Sequence, residues 1–105
     1  MDAEIRIAGH GAVHAMGIWL AAVEYSFVQG APGDMEVKIY VTNGERDLSP
    51  SSIFAEEMIL ELEDGRWGRM TTLAGSTVSG IFRVRIEGRL LMPADRDALA
   101  HHSFH

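Results

Sequence analysis

Residues Ala12–Val28 read AVHAMGIWLAAVEYSFV, a seventeen-residue apolar run in which Glu24 alone carries a formal charge. How this run folds decides the architecture, because a chain of 105 residues can build one hydrophobic core around it and not a second. Val13, Met16, Leu20, Val23 and Phe27 recur at spacings of three and four, the period of one helical face. Trp19, Ala21, Val23, Tyr25 and Phe27 also alternate, so period alone admits a strand. The length of the run, the helix formers Ala15, Met16, Leu20, Ala21 and Ala22, and the stop supplied by Gly30 and Pro32 favour a helix. The run is shorter than the roughly 20 residues that cross a bilayer and contains His14, Glu24 and Ser26, so burial inside the fold is expected instead of a membrane.

The flanking sequence reads as strands. Ala3–Ala8 alternates Ile5 and Ile7 against Glu4 and Arg6, and Asp34–Thr42 places Met35, Val37, Ile39 and Val41 on one face. Asn43-Gly44 ends that strand, a loop with Pro50 comes next, and Ser51 or Ser52 is placed to cap a short helical turn through Ile53–Glu56. Met58, Leu60 and Leu62 then alternate with acids up to Asp64-Gly65, a two-residue hairpin signal, and the return strand is Arg66–Leu73. Pairing across that turn sets Leu60 against Arg69, so a bulge is expected near Gly68. After the connection Gly75–Gly80, Ile81–Ile86 directs Phe82, Val84 and Ile86 inward and runs on past Gly88 toward Met92. Pro93–His102 reads as a short C-terminal helix with Asp95 and Asp97 in its first turn.

The expected fold is therefore α+β: one long apolar helix on a curved antiparallel sheet of about five strands, in a single domain. The order strand, helix, four strands resembles the layout of cystatin-like and hot-dog proteins, in which a curved sheet wraps a single helix. The resemblance is one of topology and carries no functional residue.

Composition narrows the function classes. The chain has no cysteine, which removes disulfides and thiolate chemistry and fits a reducing compartment; cytoplasmic residence is the expectation. Its N-terminus carries acids where a secretory signal carries bases, and it reads as mature sequence. A net charge of −6 disfavours direct nucleic-acid binding and anionic membranes, and favours a protein partner with a basic surface.

Four sets of residues bear on chemistry. His10 and His14, like His101 and His105, are four apart, and on helices each pair projects from one side as metal-binding imidazoles do, although solvated, frayed termini are the stronger account. Glu24, alone in an apolar helix with His14 near it, is the candidate for acid–base catalysis; a solvent-facing helix edge is the simpler account. Glu57, Glu61 and Glu63 share a strand face and, with Asp64, form an acidic row suited to steering a basic partner. Arg83, Arg85, Arg89 and Arg96 make the one basic strip. Trp67 and Trp19 are candidate apolar anchors, and a helix apolar on nearly all sides points to a homodimer that covers the remainder. No cofactor motif is present, the serines near Asp47 have no histidine close in sequence, and catalysis is not expected.

These features describe a small acidic, noncatalytic interaction protein that inhibits or regulates a partner, the profile of immunity proteins, anti-defence inhibitors and adaptors. The alternative is a small-molecule binder or enzyme with an apolar pocket between helix and sheet, and a third reading is a histidine metal site joining the termini.

Overall fold

The computed structural model describes residues 5–29 and 35–92, and in them the chain is an all-β, six-stranded closed barrel. The strands are β1 (Ile5–Ala15), β2 (Ile18–Gln29), β3 (Met35–Gly44), β4 (Met58–Glu61), β5 (Trp67–Ser76) and β6 (Ile81–Ile86). Every neighbouring pair is antiparallel, in the order β1-β2-β3-β6-β5-β4, with β4 closing against β1.

The apolar run is not a helix, and the α+β layout with its cystatin-like or hot-dog arrangement is overturned with it. The run is a hairpin. Ala15 pairs with Ile18 across the two-residue loop Met16-Gly17, whose φ angles of 52° and 78° match the type I′ pattern that suits strand twist. Alternation wins over helical period because both halves of the run have neighbours on either side: β1 lies between β2 and β4, and β2 lies between β1 and β3. A strand that fills a barrel from one face tolerates alanine and other small apolar residues on its outer face, and this made the sequence look uniformly oily.

Val13, Val23, Val37, Ile39, Val41, Leu60, Phe82, Val84 and Ile86 all point inward and are fully buried, so side chains fill the barrel. The inward faces read from the sequence for β3 and β6 are the observed ones. The hairpin β4–β5 achieves the expected outward Arg69 and inward Met70 by another route. Its loop is one residue longer than Asp64-Gly65, with Leu62 N–H donating to Arg66 O and Gly65 at φ 90°, so Leu60 pairs with Gly68 and no bulge at Gly68 is needed. The Ser52 hydroxyl accepts from the Phe54 amide, but residues 53–57 form a series of turns and not a helix. Beyond β6 the strand breaks at Gly88, and Leu91 bridges back to Trp67. The C-terminal helix expected at Pro93–His102 lies outside the described residues, as do His101 and His105.

Strand order has one consequence for any site. In this circuit β3 and β4 sit across the barrel from each other, so the connection 45–57 must cross its mouth. Leu48 enters that mouth, is fully buried, and its carbonyl accepts a 2.5 Å bond from Thr72 Oγ1. The mouth closed by Leu48, hereafter the top, also carries the Met16-Gly17 loop and the β5–β6 turn at 77–80.

Candidate interaction surface

The top end gathers apolar side chains that a folded chain ordinarily hides. Met16 is 63%, Ile18 56% and Trp19 47% exposed on the β1–β2 tip, while Ile53 on the crossing loop is 89% and Val78 on the β5–β6 turn 90% exposed. Simple alternation would turn Trp19 inward with Ala21 and Val23. A bulge prevents this: Val13 pairs with Ala21 but His14 pairs with Trp19, so Leu20 is the extra residue, Leu20 and Ala21 are both buried, and Trp19 emerges on the outer wall. Its ring lies against Gly44, where an added Cβ would come within 2.9 Å of the indole and closer still to the Leu20 carbonyl. Gly44 has φ 92°, a conformation a side chain would strain.

Acids surround this end. Glu45, Asp47, Glu56 and Glu57 belong to the crossing loop and, Asp47 apart, are exposed. The one cation of that loop, Arg46, is turned to the β5–β6 turn, donating to the carbonyls of Thr77 at 3.3 Å and Val78 at 2.8 Å. Asp47 accepts from the hydroxyl and amide of Ser49 and from Thr77 Oγ1, and the Ser49 hydroxyl bond is the main reason its carboxyl titrates below the ordinary carboxylate range. A carboxylate with a depressed pKa contributes stability above its unfolded value and loses it as pH falls. Acidification below about pH 4 therefore weakens the Asp47 staple of the crossing loop, fully only below its lowered pKa, and Asp47→Asn reproduces that loss at neutral pH; amide exchange of Ser49 reads both.

The acidic row read from the sequence is divided by the fold. Glu57 lies at the top, Glu61 on the outer wall of β4, and Glu63 and Asp64 in the turn at the opposite end. Asp64 is already engaged, accepting from the Arg66 backbone amide at 3.0 Å and from Arg66 Nε at 2.8 Å, and the amide bond leads in lowering its pKa. The Glu63 carboxylate folds over Gly9 beside the Tyr25 hydroxyl. Trp67 is corrected as an anchor: it is 5% exposed, its Nε1 donates to Met92 O at 3.2 Å, and its backbone pairs with Leu91, so it clamps the segment after β6.

The catalytic and metal candidates lose their geometry. Glu24 is exposed on the outer face between His10 and Tyr40, so the burial that a catalytic carboxyl needs is missing. His14 is on the outer wall with Nε2 buried 3.4 Å from Glu61 Oε1, between Ile59 and Trp19 in the ladder. Four residues of strand put His10 and His14 roughly 13 Å apart, so they cannot share an ion. Among the described residues no three His, Asp or Glu side chains gather as a metal set, and no helix is long and apolar enough to cross a membrane. Sequence reasoning missed Met16, Ile18, Ile53 and Val78. Gly17, inside the apolar run, was the available signal that a turn would expose the first two.

No family model, curated protein or solved structure matches this chain.

Proposed function

We propose that this protein is a noncatalytic interaction module that binds a basic-surfaced protein through the top of its barrel and thereby inhibits or regulates it. The observation that carries the reading is the convergence of Met16, Ile18, Trp19, Ile53 and Val78 from three separate connections onto one end, ringed by the acids of the crossing loop. Exposed apolar anchors inside a charged rim are how protein interfaces are built, and the acids repel the anionic membranes that apolar loop tips otherwise enter. Filling of the barrel by side chains counts against the alternative of an internal apolar pocket. The lack of cysteine fits a cytoplasmic setting. The homodimer inferred from an uncovered helix has lost that premise; a second copy, if it binds, would use the same apolar end.

The test uses the immobilised full chain and a native lysate, with Trp19→Ser/Ile53→Ser compared against wild type. Ile53 is 89% and Trp19 47% exposed, and an unchanged far-UV spectrum checks that the variant keeps its fold. One basic partner captured in stoichiometric amount should bind the variant about 30-fold less tightly, the loss of one hot-spot anchor. Glu57→Lys should slow its association at low salt, while Glu63→Lys, at the other end, leaves the rate unchanged. Equal capture by the double variant rejects the surface.

A further inference from the structure

On the wall of the barrel, away from the top, the strand registers place Ala8, Ser26, Lys38, Arg83 and Ala74 in one row across β1, β2, β3, β6 and β5. Lys38 and Arg83 are directly opposite each other, an arrangement sheets ordinarily avoid because like charges across a ladder repel. Small residues flank the pair on both sides, and the result is a hollow of about 260 Å³ lined by Arg6, Ser26, Glu36, Lys38 and Arg83 with Phe27 and Val28. Glu36, the one carboxylate in the lining, is committed to Arg83 at 2.7 Å. Arg6 and Lys38 have no carboxylate partner among the described residues. Among the described residues, two cations in one concavity thus have no carboxylate partner, beside a third cation and a hydroxyl.

We infer that this hollow is a binding site for a phosphoryl group of a small molecule. Three cations against one carboxylate in the lining suit a group that carries about −1.5 to −2 at neutral pH better than a singly charged carboxylate, and guanidinium, ammonium and hydroxyl donors are what phosphoryl oxygens accept from. Ser26 supplies the hydroxyl from β2, Arg6 and Lys38 two positive charges, and Arg83 a third donor shared with Glu36. Glu36 is the internal competitor: it holds Arg83 when the site is empty and repels the incoming anion. The hollow shares no residue with the proposed partner surface, so either can fail without the other.

The test is a titration of the full chain with inorganic phosphate at pH 7.5, monitored by amide chemical shifts, with sodium chloride at matched ionic strength and sodium acetate as separate arms. Saturating shifts centred on Ser26, Lys38 and Arg83 are expected with phosphate. Arg6→Ser/Lys38→Ser, which changes only exposed side chains, should weaken binding at least about tenfold, and Glu36→Gln should tighten it by about fivefold. The inference is overturned by shifts that do not saturate, by a chloride response of the same size, by acetate binding as tightly as phosphate, or by a double variant that binds like wild type. An unchanged affinity in Glu36→Gln would place the anion away from Arg83 and overturn it as well.

Discussion

Leu48→Ala lowers the stability of the barrel by about 2–5 kcal/mol, the range for deleting a fully buried leucine. For a domain whose total stability is of the order of 5–15 kcal/mol, that is a large share for a residue in a connection. The reason is its position. Leu48 is fully buried where the crossing loop passes over the mouth, and there is no second strand layer to collapse into the space it vacates. Its carbonyl also satisfies Thr72 Oγ1, the one buried polar side chain of the described core, at 2.5 Å. Thr72→Val should be non-additive with Leu48→Ala, because the main-chain carbonyl that Thr72 Oγ1 donates to is held in place by the buried Leu48 side chain. Urea unfolding monitored by the two tryptophans measures the loss. Because Ile53 and the loop acids ride on this plug, the variant should also bind a top-end partner more weakly while keeping its sheet spectrum. A stability within about 0.5 kcal/mol of wild type, the scatter of ordinary surface changes, would mean the loop does not seal the mouth.

Gly11→Ala costs at least about 3 kcal/mol, at or beyond the upper end for overpacking a filled core, since the obstacle here is backbone. An added Cβ would fall on the Glu61 carbonyl oxygen across the β1–β4 seam and 3.2 Å from the Tyr25 ring. The ring could turn; the carbonyl cannot move without opening the seam that closes the barrel. A fall of several degrees in melting temperature is expected, and an unchanged melting temperature would mean that the seam yields to the added methyl. Ala8→Ser, on the outer face of the same strand, is the control and should change little.

Gly9 and Gly11 were legible as residues that free the backbone, but not as the places where Tyr25 and β4 press against β1. Both contacts are made by residues distant in the chain, and nothing local records them. The same division runs through the surface. That Trp19 is a candidate anchor was readable; that a bulge at Leu20 would rotate it outward, and that Ile53 and Val78 would join it at one end, was not.

Residue order alone established the alternating inward faces of β3 and β6, the presence though not the length of a turn around Asp64-Gly65, the acid surplus and the lack of cysteine, because each depends on composition or on neighbours one or two positions away. Whether seventeen oily residues coil or pair sideways depended on the strands available to flank them, and ladder hydrogen bonds with β3 and β4 outweighed a helix preference of a few tenths of a kcal/mol per residue. Closure of those ladders into a barrel then determined which side chains share a wall, dividing Glu57 from Glu63 and uniting Arg6 with Lys38 and Arg83. Local chemistry chooses faces, and long-range pairing chooses the company they keep.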